Sequence, residues 1–271
     1  MSRRDAALEL LGIERWQLRG TRAAEPAAGA EAQVSAPAAA ESPVPRVPRV
    51  ARIARARAPA PAPGAAPAVH APVAFVAPKE DSWERLVADV AGCTACGLHA
   101  TRTQTVFGVG DRRAEWLVIG EAPGVDEDRK GEPFVGRAGQ LLDQMLLAVG
   151  LPRERVFIAN VLKSRPPNNR DPRPDEVAAC LPFLMRQIAL LRPRIILVVG
   201  RIAAQNLLGT EETIGKLRGR LHHLGPDRIP MVVTYHPAYL LRSPAEKRKA
   251  WEDLKLARRV HRELPPRPAE A

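Results

Sequence analysis

The chain is poor in aromatic residues, poor in cysteine and without any long apolar run, and each shortage excludes something. Aromatics make up 4% of its 271 positions, and across residues 21–78 there is a single one, Phe75. That stretch is mostly alanine, proline and arginine, so it has too little apolar surface to offset its ordering entropy. A disordered linker with polyproline II tendency is expected there. No run approaches the ~18–20 apolar residues that a membrane span requires. The N-terminus lacks the apolar core of an export signal, and three cysteines argue against a disulfide framework. No internal repeat is visible. The expectation is a cytoplasmic, nucleoid-associated monomer with no membrane contact.

What the chain has in excess is positive charge. Its formal net charge is +11, which favours a polyanionic partner over a surface that is basic only for solubility. Arg46, Arg49, Arg52, Arg55 and Arg57 recur at nearly three-residue spacing. In an extended polyproline-like chain these side chains face one way and suit a row of phosphates, although solvated charges in a tether fit equally well.

The pattern divides the chain into four parts. Residues 1–20 form a short amphipathic segment with Leu8, Leu10, Leu11, Ile13, Trp16 and Leu18 among charges. Residues 21–80 are the linker, 81–262 the folded domain, and 263–271 a disordered tail. The domain opens with Asp81-Ser82, a plausible cap for a helix over 83–90. Apolar strands are expected at 116–119, 156–159, 195–199 and 231–234. Helices are expected over 138–149 and 174–191, from 200 to 208, and from about 245 onward. Continuous apolar strands alternating with helices imply an α/β fold whose parallel sheet is covered on both faces.

Four motifs fall beyond the ends of these strands. They are Gly120-Glu121-Ala122-Pro123-Gly124, Pro133-Phe134-Val135-Gly136, Asn160 after Val-Phe-Ile-Ala, and the run from Tyr235-His236-Pro237-Ala238 to Arg242. Ligands of open α/β sheets bind in the crevice outside the carboxyl ends of the strands. A carboxylate, an aromatic ring, an amide and an imidazole converging there suit a small planar polar ring. Each also has a plainer reading, as a turn cap, a core ring or a structural histidine.

Taken in order, and with Arg165-Pro-Pro-Asn-Asn-Arg-Asp-Pro172 between them, these motifs resemble the family 4 uracil-DNA glycosylases over residues 93 to about 256. The resemblance implies a three-layer sandwich around a central four-stranded parallel sheet. It also implies a monofunctional glycosylase that hydrolyses the bond between uracil and deoxyribose in DNA, beginning base excision repair. Catalysis would then fall to Glu121, Asn160 and His236, with Ala122, Gly124, Phe134, Asn160 and His236 binding the base. Family 1 enzymes carry an aspartate general base where this loop has Ala122, and a thymine-excluding tyrosine where it has Gly124. Water must therefore be positioned otherwise, with Glu121 and loop backbone as candidates. Leu240 would wedge into the duplex, and Arg242 and Arg218, with Lys216 and Arg220, would meet phosphates.

The same resemblance implies a [4Fe–4S] cluster held by four cysteines. Cys93, Cys96 and Cys180 match three of the positions, but the third in order is Ser164. A serine oxygen is a harder and less acidic ligand, so a Ser-ligated [4Fe–4S] cluster, a three-iron cluster and an empty site all stay open. Zinc fits less well, because three cysteines without a nearby histidine leave its tetrahedron incomplete.

Residues 1–19 resemble the start of the psi subunit of bacterial DNA polymerase III, in Ser-Arg-Arg-Asp, Leu-Gly-Ile and Trp-x-Leu-Arg. The implication is a tether to the clamp loader. A rival reading follows, in which the chain is a clamp-loader-associated replisome subunit and its glycosylase-like domain a scaffold.

Overall fold

The computed structural model describes residues 81–266; the segment over 1–20, the linker over 21–80 and residues 267–271 lie outside it. Helix α1 (Trp83–Ala91) opens at Ser82, whose hydroxyl accepts from the Arg85 N–H at 3.2 Å. Strands β1 (Val109–Gly110) and β2 (Trp116–Gly120) follow, then helices α2 (Val125–Lys130) and α3 (Arg137–Ala148). Strand β3 (Phe157–Asn160) leads to α4 (Pro174–Leu191), and β4 (Ile195–Val199) to α5 (Arg201–Leu208) and α6 (Ile214–Leu217). The chain closes with β5 (Leu221–Leu224), β6 (Ile229–Thr234), α7 (Pro237–Arg242) and α8 (Lys247–Glu263).

The strands form one sheet in the order β1-β3-β2-β4-β6-β5. β3, β2, β4 and β6 run parallel, in the register that sets Gly120 beside Asn160 and Val199 beside Thr234. The expected four-stranded parallel sheet is present, and two antiparallel edges, β1 and β5, extend it to six strands. Their sequences hide them. β1 has only two residues, and β5 reads Leu-His-His-Leu with one buried position, so neither has the apolar alternation that marks a strand.

Alternate residues of each strand feed two separate cores. Trp116, Val118, Leu197 and Val232 pack with Leu142 and Met145 of α3 and Leu254 of α8. Leu117, Ile119, Val198 and Val233 pack with Leu184 and Ile188 of α4 and Ala203 and Ala204 of α5. The result is the helix–sheet–helix sandwich. α1 is fastened to α4 by Arg186, which donates to Asp81 at 2.6 and 2.7 Å and to Asp89 at 2.7 Å. Past α8, Arg194 donates to the carbonyls of Leu264 and Pro265, so the chain stays tied as far as the third residue of the segment expected to be a tail. Among the described residues no helix is long and apolar enough to cross a membrane.

Strand order fixes where a ligand can enter. From β2 the chain moves to β3 on one side, then crosses to β4 on the other. The carboxyl end of β2, where Gly120 leads into Glu121, is the point at which the order reverses, and such a point opens a crevice.

Candidate functional site

The crevice at that point is a cavity of about 450 Å³, a size that suits a small ligand. Glu121, Ala122 and Gly124 line it from the loop after β2, Asn160 from the end of β3, and His236 and Arg242 from α7. Phe134 completes the wall from the loop before α3. Seven residues singled out from the sequence therefore share one cavity.

The backbone forces this convergence. Gly120 has no alternative, because a Cβ there would lie 2.4 Å from Asn160 Oδ1 and 2.6 Å from the Phe134 ring. Phe134 itself is held at a φ of 54°, in the left-handed region where a non-glycine residue is strained. Two side chains hold it there. Arg153 donates to the Pro133 carbonyl at 2.6 Å and the Phe134 carbonyl at 3.3 Å, while paired with Asp143 at 2.9 Å. From the other side, the Glu127 carboxylate accepts from the Val135 and Gly136 N–H groups at 3.0 and 3.1 Å. Its second oxygen accepts from Gly124 N–H at 3.1 Å, so one carboxylate joins the loop after β2 to the loop carrying Phe134.

Asn160 is 2% exposed, and its Oδ1 has no hydrogen-bond partner among the described residues. A buried amide oxygen left unpaired costs roughly 1–3 kcal/mol, a cost that a ligand donor removes. His236 Nδ1 accepts from the Ala238 N–H at 3.1 Å. A neutral ring so engaged carries its proton on Nε2, which makes that nitrogen a donor. Burial, aided by the Arg242 charge, holds the imidazole pKa down at about 4, so the ring is neutral at physiological pH. Its centroid is 5.7 Å from that of Phe134, with the planes 31° apart. The Glu121 carboxyl is pushed up to about 7 by burial and by Asp171, against the opposing effect of Arg201. It can therefore exchange a proton near neutral pH.

Two residues expected to contact DNA, Leu240 on α7 and Arg218 just after α6, are engaged within the fold. Leu240 is 0% exposed: the helical register turns it into the core, while its neighbours Tyr239 and Leu241 are 37% and 38% exposed. The exposed apolar residues of α7 are therefore Tyr239, which lines the cavity, and Leu241. Arg218 is spent on structure, because it donates to both oxygens of buried Asp253 at 2.7 and 3.0 Å and to the Lys249 carbonyl. Arg242 remains at the cavity mouth.

Sequence reasoning missed Glu127, Asn169 and Arg170 as cavity residues. The signal was present for the last two, in Pro-Pro-Asn-Asn-Arg-Asp, where Asn168 and Asn169 both take positive φ and bend the loop toward the cavity. Arg170 is steadied by a two-pronged pair with Glu176.

A second, much smaller cavity is lined by Cys93, Cys96, Cys180 and Ser164, with Arg102 and Lys163. The backbone N–H of Lys163 donates to Cys180 Sγ at 3.1 Å, and Arg102 donates to the Ser164 hydroxyl at 3.1 Å. Among the described residues no three His, Cys, Asp or Glu side chains stand close enough to enclose a single metal ion.

Known proteins resemble the chain over this same region. The model of the uracil DNA glycosylase superfamily matches residues 107–255. A type-4 uracil-DNA glycosylase of Archaeoglobus fulgidus is 45% identical over 181 residues, covering 65% of this chain and 91% of the relative. One from Pyrobaculum aerophilum is 43% identical over 171 residues, covering 61% and 87%. One from Thermotoga maritima is 42% identical over 184 residues, covering 66% and 95%. A single fold, a cavity at its strand-order reversal and these relatives agree: the chain belongs to the uracil DNA glycosylase superfamily.

Proposed function

We propose that the chain excises uracil from DNA by hydrolysing the bond between the base and the deoxyribose. The observation that carries this reading is the buried, unpartnered Asn160 Oδ1 in a cavity wall shared with Phe134 and His236. Uracil has a proton on N3 and an acceptor at O4, which match an amide oxygen and an amide N–H. Cytosine presents the opposite pair, so the same amide rejects it.

The base must leave the duplex stack to reach this wall, where the Phe134 ring gives it a face to lie on. As the C1′–N1 bond breaks, its electron pair leaves with uracil, and negative charge gathers on N1 and O2. The His236 Nε2–H is the donor suited to O2, and a neutral imidazole loses no proton in stabilising the anion. Water then adds to C1′ and gives up a proton. Ala122 cannot receive it, whereas Glu121, poised at about 7, can orient the water or accept the proton. Exposed Leu241 and Tyr239 would fill the gap in the duplex, and Arg242, which lines the cavity, would meet a phosphate.

The thiol site suits an iron–sulfur cluster better than a single ion. Three sulfurs line one cavity without closing around a metal-sized point, and a backbone N–H already donates to one of them. Cys93, Cys96 and Cys180 would hold the group, with Ser164 at the fourth corner under Arg102. When bound, the group would cross-link the segment before β1, the loop after β3 and α4. The rival replisome reading rests on residues 1–20, which lie outside the described residues and before the matched region.

The reading is tested with an oligonucleotide containing one uracil. Free uracil and an abasic site that breaks only after alkali are expected. Strand scission without alkali would contradict monofunctional hydrolysis, and absence of uracil release would overturn the activity.

A further inference from the structure

Lys163 is among the largest fully buried side chains of the molecule, at 2% exposure, and the reaction as described does not use it. Burying an amine is costly unless its hydrogen bonds are met. Here the Nζ donates to the backbone carbonyl of Asn160 at 2.7 Å and to Gln187 Oε1 at 2.6 Å. Gln187 is fixed in turn, because its amide nitrogen donates to the Phe107 carbonyl at 2.8 Å. The Lys163 main chain is held at both ends as well, its N–H by Cys180 Sγ and its carbonyl by the Val106 N–H at 2.8 Å.

This arrangement acts on one functional atom group. Asn160 is the last residue of β3, in register with Gly120 of β2. The next two residues continue the pairing through their N–H groups, to the carbonyls of Gly120 and Glu121 at 3.0 Å each. The Asn160 carbonyl accepts from the Lys163 Nζ at 2.7 Å. A shift of that carbonyl that carried Cα with it would move the Asn160 side chain out of the cavity wall.

We propose that Lys163 is the positioning residue for the base-reading amide, fixing the Asn160 peptide so that its side chain meets the uracil edge; this rests on the reading of Asn160 given above. A lysine that merely fills the core would stabilise the fold without acting through Asn160. The two roles separate in a double-mutant cycle, since residues acting through one group are non-additive and independent ones add.

The experiment measures single-turnover uracil release by the full chain as wild type, Lys163→Met, Asn160→Ala and the double variant, with urea denaturation of each. Lys163→Met is expected to slow release about 10- to 100-fold, the range for losing a charge-assisted hydrogen bond. In the Asn160→Ala background it is expected to cost nothing further. A double variant slower than Asn160→Ala by the full Lys163→Met factor would overturn the proposal, as would a wild-type rate in Lys163→Met. If Lys163→Met does not fold, Gln187→Leu takes its place in the cycle with the same two outcomes. Failure of the parent reading looks different: the wild type releases no uracil, or Asn160→Ala releases it at the wild-type rate.

Discussion

Two cavities of this domain are built on opposite terms. The larger one is set by the backbone: Gly120, the strained Phe134 and the carboxylate of Glu127 fix it before any ligand arrives. The thiol cavity has three cysteine side chains and Ser164, whose hydroxyl already accepts from Arg102. Preorganisation favours a transition state because the donors need no rearrangement as charge develops. A site that waits for an inorganic group tolerates looser geometry, since the group itself imposes order on binding. The chemistry is therefore expected to depend steeply on the first cavity and the integrity of the loops on the second.

The sharpest way to break that contrast is at His236. His236→Ala removes the donor that the proposed reading assigns to the leaving base, and excision should fall about 10²- to 10³-fold with folding intact. Single-turnover kinetics beside a denaturation curve reads both; a rate within error of wild type would show that the cavity is not preorganised for charge.

Next in size is Gly139→Ala. A Cβ at that position would lie 1.8 Å from the Phe134 carbonyl, so α3 and the strained loop would have to separate. A loss of roughly 1–3 kcal/mol is expected, the usual cost of overpacking, and urea unfolding measures it.

The proton inventory gives the third test. Glu121 loses its proton as pH rises through about 7, and His236 stays neutral down to about 4. If the carboxylate is the active form, the rate should climb with pH through the window near 7 and then level off. Glu121→Gln should flatten that rise; a rise that persists in the variant would assign it to another group.

The remaining tests concern α7 and the thiol cavity. Leu241→Ala should slow excision from duplex DNA more than from single strands, because only a duplex leaves a gap to fill. Leu240→Ala should instead cost roughly 2–5 kcal/mol of stability, as a buried leucine does. At the thiol cavity, Ser164→Cys should raise the iron content of anaerobically purified protein. Equal iron in both proteins would place Ser164 outside the site.

Much of this was legible in the sequence, for identifiable reasons. The four buried strands announced themselves because both faces are covered, which leaves unbroken runs such as Ile195–Val199. Their ends then placed Glu121, Asn160 and His236 together. What stayed hidden depended on pairing or on helical register. β1 is too short to show a pattern, and β5 is too polar. The inward turn of Leu240 follows from the one-residue phase of α7, which a run of Tyr-Leu-Leu does not reveal. Arg218 looked like a phosphate contact because Asp253, its partner, is 35 residues away in the chain. Glu127 and Lys163 act on backbone groups, and no side-chain motif advertises such bonds.

The central claim is that one buried amide reads the base, and the most direct measurement is single-turnover uracil release by wild type and Asn160→Ala on the same oligonucleotide. The account predicts a robust wild-type rate that collapses in the variant while its unfolding curve stays near that of wild type. Equal rates in the two proteins would contradict it, because the unpaired oxygen in the cavity wall would then have no part in recognising uracil.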